Sequence, residues 1–344
     1  MQAPLAGGPS TPRLAAAVCA AGGLGFVASG YKTAEAMRSD IEATRSLTDA
    51  VLGVNVFVPG VGATEPGSYQ PFIDELRPEA ERYGLELGEP RFEDDDWEAK
   101  INQLADDPVD VVSFTFGCPP TRVISRLQAS GTEVWVTITS PVEAQRAFEA
   151  GADALILQGV EAGGHRGTWV DRDDAEQYGL LALIQVVRET VTQPLIAAGG
   201  IANGAALAAV LCAGARAAQI GTAFMRCPEA ATSHPHQDAL SSPRSTTLTR
   251  AFSGRLARGL LNRFIKEHGH DAPSAYPEIH HVTSPLRAAG RNAGDPEVIN
   301  LWSGQTHELA QPLPARELIR KINAEAEDAI KRATHTLPKA SPSR

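Results

Sequence analysis

Aromatic residues are scarce, at 6% of the 344-residue chain. That sets it apart from an aromatic-rich β-sandwich, and its 31 glycines and abundant alanine suit a parallel sheet closely covered by helices. Positive charge is also in deficit. Lys and Arg total 31 against 41 Asp and Glu, a formal net charge of −10. A generic nucleic-acid or acidic-membrane binder needs a positive surface, so neither partner is expected. A local pocket can still be positive on an acidic protein. Cysteine is sparse: Cys19, Cys118, Cys212 and Cys227 are widely spaced, with no C-x-x-C pair. Three sit in or beside apolar runs and read as buried free thiols. There is no run of 18 apolar residues, and no signal peptide precedes the first helix pattern. The expectation is a soluble, cytoplasmic protein in a reducing compartment.

In place of those features the chain has rhythm. Apolar runs at 24–28, 52–58, 110–116, 133–139, 154–159, 194–199 and 217–224 alternate with helix-like segments. Runs such as Ala154-Leu155-Ile156-Leu157 are apolar at every position, which fits strands buried on both faces. Between them, Leu14, Val18 and Ala21 precede Gly22, Val123, Ile124 and Leu127 precede Gly131, and Leu207, Val210 and Leu211 precede Gly214. Apolar spacing of three and four closed by glycine is the pattern of helices. The alternation implies right-handed βαβ units and an α/β fold, the TIM (β/α)8 barrel, with 43% apolar residues to fill it.

Seven strands are clear, and the missing one should be the first. Met1–Pro4 reads as the end of a strand entering the loop Leu5-Ala6-Gly7-Gly8. The first strand thus reads as truncated, with a natural start upstream; a short, tolerated strand is the rival. An incomplete first strand would expose two sheet edges. After Phe224 the rhythm stops. Residues 226–310 read as an insertion over the barrel mouth, with a helix at 257–266. Residues 314–334 carry an apolar face through Leu318, Ile322, Ala326 and Ile330 and read as the closing helix. The barrel is therefore assigned to 1–225 and 311–334, and a frayed tail to 335–344.

Two late loops carry a phosphate signal. Ala197-Ala198-Gly199-Gly200-Ile201-Ala202-Asn203-Gly204 follows one strand, and Gln219-Ile220-Gly221-Thr222 ends the next. TIM barrels often bind phosphate on the loops after their last two strands. There glycines admit backbone N–H groups to the phosphate, and a helix dipole favours the charge. A tight turn needing positive φ is the bland alternative. Gln158-Gly159-Val160-Glu161-Ala162-Gly163-Gly164-His165-Arg166-Gly167 places an amide, a carboxylate, an imidazole and a guanidinium at one strand end. His165 is a candidate acid or base there, because its pKa lies near working pH. Asn55 interrupts an apolar strand and needs a partner, from protein or ligand.

These strings, in order, resemble the nitronate monooxygenase (2-nitropropane dioxygenase-like) family. They are Gln2–Gly8, Gly22-Gly23-Leu24-Gly25, Val54-Asn55-Val56-Phe57, Ser113–Gly117, Gly163–Gly167, Ala198–Ile201 and Gln219–Thr222. Phe252-Ser253-Gly254-Arg255 and Leu301-Trp302-Ser303-Gly304-Gln305 extend the likeness into the insertion. The resemblance implies FMN in the barrel mouth. Asn55 and Gln158 would hydrogen-bond the flavin and Gly163 would line it. Gly199, Gly200, Gln219, Ile220, Gly221 and Thr222 would hold the phosphate end. His165 would be the catalytic residue. It also implies an electron-rich nitronate that reduces the flavin, dioxygen as oxidant, and a carbonyl compound with nitrite as products. Alkyl nitronates and propionate 3-nitronate are the substrate class implied, and self-association into a homo-oligomer is left open. Arg166 would add positive potential or face solvent.

Two other readings keep the same residues. Related FMN enzymes, the enoyl-ACP reductases and quinone reductases, share a Gly-Gly-His loop but take hydride from NAD(P)H. A barrel that binds a phosphate ligand without turnover is the third. The pairs His234/His236, His268/His270 and His280/His281 lack zinc-module spacing and read as surface or lid histidines, so no metal is expected. Glu93-Asp94-Asp95-Asp96 reads as the start of a solvated helix.

Overall fold

The structure is a computed structural model that describes residues 1–336 apart from Val61, Thr64 and Pro66. In chain order the strands are β1 (Gly25–Ala28), β2 (Leu52–Phe57), β3 (Val111–Thr115), β4 (Glu133–Ile138), β5 (Ala154–Gln158), β6 (Gly164–His165), β7 (Leu195–Ala198), β8 (Ala217–Gln219), β9 (Thr246–Thr249) and β10 (Ala257–Leu260). Among the described residues, β1, β2, β3, β4, β5, β7 and β8 form one parallel sheet in that order. Strands in sequential order with helices between them make a TIM-barrel-like α/β fold.

The continuous apolar runs follow from two buried faces. Along β5, Ala154 and Ile156 join Phe26, Val111, Trp135 and Ile196 inside the barrel. Leu155 and Leu157 point the other way, into the layer shared with the helix Leu180–Arg188. Both residue sets must be apolar, so no alternation survives in the sequence.

The sheet edges expected to lie open are joined by Gln2, between the C-terminal end of β8 and the N-terminal end of β1. Gln2 forms a parallel bridge with Ile220. Its N–H donates to Leu24 O at 3.0 Å, and Ala3 N–H donates to Ile220 O at 2.7 Å. Gln2 is fully buried, and its side chain extends the seam. Oε1 accepts from Phe26 N–H at 2.9 Å, and Nε2 donates to Ser10 Oγ at 2.9 Å. One side chain thus does part of the work of a strand.

Outside the barrel, several expectations change. The segment expected as a helix at 257–266 is split. Ala257–Leu260 pairs antiparallel with β9, and its first two residues pair with β6. A new helix, Arg263–His268, then starts at Asn262, whose side chain accepts from Ile265 N–H. Ladder hydrogen bonds and an N-cap override the local helical spacing. The closing helix runs Ala315–Thr336, so the first two residues expected in a frayed tail are helical, and 337–344 lie outside the described residues. It packs on the helices Gly204–Ala213 and Pro12–Ala20. Cys19 and Cys227 are buried, whereas Cys212 is exposed on the outer side of its helix, contrary to its apolar context. Among the described residues, no helix is long and apolar enough to cross a membrane.

Replacing Gln2 with alanine removes the side-chain contacts of the seam and leaves Phe26 N–H without an acceptor. We expect a loss of about 1–3 kcal/mol, the typical cost of stranding a buried polar group. Urea unfolding of the variant against the parent chain checks this.

Candidate active site

A cavity of about 530 Å³ opens at the C-terminal ends of the strands, a size that accommodates a cofactor or small ligand. All the residues singled out from the sequence line it: Asn55, Gln158, Gly163, His165, Gly199, Gly200, Gln219, Ile220, Gly221 and Thr222. They come from the ends of β2, β5, β7 and β8 and from β6, so the fold brings distant segments to one point.

Gln158 organises the centre. Its Nε2 donates to His165 O at 3.0 Å, while Oε1 accepts from Gly167 N–H and from Arg166 Nη1, both at 2.8 Å. The amide is thereby engaged on both sides by the loop it supports. Arg166 neither faces solvent nor lines the cavity. It is buried, also donates to Gly159 O at 2.7 Å, and serves as a clasp. Gly163 lets another chain segment approach, since a Cβ there would lie 2.4 Å from Gly304 N. Gly304 N–H in turn donates to Thr222 Oγ1 at 3.0 Å.

His165 sits where β6 pairs with β10, opposite Ala257. Its Nε2 lies 2.8 Å from Ser253 Oγ, and Phe116, Tyr276 and Trp302 surround the ring. Burial, then the positive charges of Arg255 and Arg287, push its pKa down to about 3. It is therefore neutral at working pH. Asn55 donates through Nδ2 to Ser113 O, Ser113 Oγ and Thr115 Oγ1 at 3.0–3.2 Å. Protein satisfies its donor side, and the residue also borders the cavity.

The late loops differ from expectation in one respect. The helix after β7 does not offer its N-terminus to a ligand. Gly204 N–H donates to Glu325 Oε2 and Ala206 N–H to Asn203 Oδ1, both at 2.9 Å. A carboxylate from the closing helix already occupies the positive end of that dipole. What remains for an anion is the loop backbone. Gly199 and Gly200 have φ of +117° and +66°, and among the described residues the N–H groups of Gly200, Gly221 and Thr222 have no protein acceptor. Beside them Gln219 is buried, and its Nε2 has no hydrogen-bond partner.

The insertion supplies groups that the motif reading missed. On the helix Glu278–Ala293, His280, Ser284, Arg287 and Arg291 line the cavity while Ile279, Val282, Leu286 and Gly290 are buried. A polar stripe spaced four, three and four residues apart was the available signal. Arg287 donates to Thr283 Oγ1 at 3.1 Å and His280 O at 2.7 Å, and Arg291 to Asn300 Oδ1 at 3.4 Å, all neutral partners. Burial and the neighbouring Arg291 lower the Arg287 pKa to about 10, which leaves it charged. Tyr31 and Arg255 were missed as well; the Arg255 guanidinium lies 4.0 Å over the Phe116 ring. Of the histidine pairs, His236 and His280 face the cavity, while His268 and His281 are also buried. Glu79, Glu267 and His268 converge within ligating distance, but Arg263 pairs with both carboxylates.

Not one residue lining the cavity, among those described, is Asp or Glu. On a chain of net charge −10, two cavity arginines and no carboxylate make this a place for an anion.

The family model described as nitronate monooxygenase matches residues 1–325. A nitronate monooxygenase of Pseudomonas aeruginosa is 39% identical over 341 residues, covering 94% of this chain and 94% of its own. A probable nitronate monooxygenase of Staphylococcus aureus is 38% identical over 324 residues, covering 92% and 90%. Among solved structures, a nitroalkane oxidase from Streptomyces ansochromogenes superposes with a TM-score of 0.95 at 51% identity, over 97% of this chain and 96% of that one. FabK from Thermotoga maritima is more distant, with a TM-score of 0.74 at 27% identity over 98% and 94%. The fold, the convergence of the expected residues on one cavity and these likenesses agree: the chain belongs to the nitronate monooxygenase family.

Proposed function

We propose that this chain oxidises nitronates with dioxygen, using FMN bound in the cavity. The observation that carries the reading is the acid-free cavity, in which Arg287 and Arg291 meet a neutral His165. A nitronate is an anion, and this is a pocket built for one.

The residues present fit the cofactor. Gln219 Nε2 is a buried donor in need of an acceptor, and the free amides at Gly200, Gly221 and Thr222 suit a phosphate. Gly199 and Ile220 complete that end. Asn55 and Gln158 would border the ring system, with Gly163 keeping the wall thin. FMN would supply the electron acceptor and the route to dioxygen, leaving a carbonyl compound and nitrite. The barrel, residues 1–225 and 311–334, would hold the cofactor, and 226–310 would cover it.

The chain's own groups then handle charge and protons. Arg287 and Arg291 attract the nitronate and hold it. His165 Nε2 can take the α-proton from a neutral nitroalkane. As negative charge develops beside it, the repulsion from Arg255 and Arg287 is offset, and the imidazole becomes a better proton acceptor. Trp302, Phe116 and Tyr276 around the ring keep water away.

The direct test is oxygen uptake on propionate 3-nitronate and alkyl nitronates by the FMN-loaded protein, with no NAD(P)H. Uptake with nitrite release supports the proposal. No uptake, with the flavin bleached by NADH under nitrogen, would move the chain to the reductase branch. His165→Asn should lower kcat on a neutral nitroalkane by about 10²–10⁴-fold, the usual contribution of a general base, and affect a preformed nitronate far less. Arg287→Met should raise KM for the nitronate about tenfold or more, the loss of one charge-assisted contact.

The buried histidines also predict acid lability. His165 and His236 are held at about 3 and about 4, against roughly 6.5 when unfolded. Their folded pKa values are depressed, so the unfolded chain binds more protons as pH falls. Stability is full above pH ~6.5 and declines below it, by up to about 1.4 kcal/mol per pH unit for each histidine until its folded pKa is reached. Melting temperatures between pH 7 and pH 4.5 check this, and His236→Gln should show the shallower decline.

A further inference from the structure

One wall of the cavity is made of three rings. Tyr31, Phe57 and Phe116 line the main cavity on one side and a cleft of about 30 Å³ on the other. The Tyr31 and Phe57 centroids lie 5.5 Å apart, edge to face, and Phe57 and Phe116 4.5 Å apart. The cleft continues through Val58, Pro59 and Phe92 to Glu93, Asp94 and Asp95.

This wall is held in place against the preferences of its backbone. Among the described residues, the non-glycine positions with positive φ are Tyr31 (65°), Asp95 (58°), Asp96 (56°) and Phe116 (75°). Two of them are rings of the wall, and Asp95 lines the cleft. Bulky residues seldom adopt this conformation, which persists only where the surroundings impose it. Here they do. Tyr31 N–H donates to Asp95 Oδ1 at 2.8 Å, and Asp95 Oδ2 is 2.7 Å from the buried Lys100 ammonium. Lys100 in turn donates to Ser29 O at 2.9 Å, at the end of β1. The acidic run expected to be solvated thus sends one carboxylate inward to fix Tyr31. The Tyr31 ring stacks on His280 at 4.1 Å, and its hydroxyl lies 3.2 Å from that of Tyr276.

We propose that Tyr31 determines substrate length, its ring closing the cavity against the cleft so that only short alkyl nitronates fit. This rests on the nitronate reading above. Removing the ring would join the two spaces and let an alkyl chain pass through the place the Tyr31 ring occupies, beside Phe57. Glu93, Asp94 and Asp95, which line the cleft, would favour an uncharged chain over one ending in a carboxylate.

Tyr31→Gly is the informative variant, because glycine adopts the φ of position 31 without steric cost. Two series should be measured on the FMN-loaded protein. One is kcat/KM for the nitronates of 1-nitropropane to 1-nitrohexane. The other is Kd for butanoate to octanoate by calorimetry, the carboxylate standing in for the nitronate without reacting. Parent protein and Tyr31→Phe should lose activity and binding as the chain lengthens. Tyr31→Gly should gain at least tenfold for the longest members relative to the shortest. Should it fail to fold, Phe57→Ala opens the same wall and should give the same shift. Parallel length profiles in the parent and the opened variant would overturn the proposal. If the parent turns over no nitronate, the functional reading fails, while the carboxylate series still reports on the wall.

Discussion

The site hangs on the amide of Gln158. A single side chain at the end of β5 holds His165 O with its donor and the Arg166 guanidinium and Gly167 N–H with its acceptor. Without that grip the Gly-rich loop would have several conformations open to it. With it in place, Gly164 and His165 pair with β10. The pairing fixes where the His165 ring enters the cavity and where the cover sits. Loop and imidazole are therefore placed by one set of hydrogen bonds to a single amide, inside a barrel whose rigid strands supply the reference frame.

Charge is distributed with the same economy. The chain is acidic, yet its carboxylates are kept out of the cavity or spent on structure: Glu325 caps the helix after β7, Glu161 accepts from Leu180 N–H, and Asp95 holds Tyr31. The arginines divide into two kinds. Arg166 clasps carbonyl oxygens behind the loop, while Arg287 and Arg291 face the cavity with neutral partners only. The second kind gives the pocket its sign, and Arg287 joins burial and Arg255 in keeping His165 unprotonated. Arg255, Arg287 and Arg291 all lie within residues 226–310, so that segment provides positive charge while the barrel strands provide shape and neutral polar groups.

Much of this was legible in the sequence. Strands buried on both faces must be apolar at every position, and Ala154–Leu157 announced itself on that ground. The paired glycines at 199 and 200 and the glycines flanking His165 mark places where backbone must bend or come close, a requirement that few other residues meet. The insertion was harder to read. Ala257–Lys266 has helical spacing, but β9 and β6 impose a strand on its first half, and β6 lies far away in sequence. Asp95 looked like one more helix-starting acid because its partner, Lys100, is identified only by burial. Arg287 and Arg291 were hidden because a polar stripe ordinarily faces solvent, and only the position of a cavity shows that this one faces inward.

The proposed division between barrel and cover bears on how such a protein can vary. Groups expected to hold a cofactor sit on strand ends of the barrel, and changing Gln158 disturbs the loop it holds along with the site. Groups proposed to meet the substrate sit on one helix and one strained loop, at Arg287, Arg291 and Tyr31. Their backbones are secured by other contacts: the buried face of the helix through Ile279, Val282 and Leu286, and the Asp95–Lys100 pair behind the loop. The side chains can therefore change while the scaffold stays. On the proposed reading, selectivity would be separable from cofactor binding because different elements carry each.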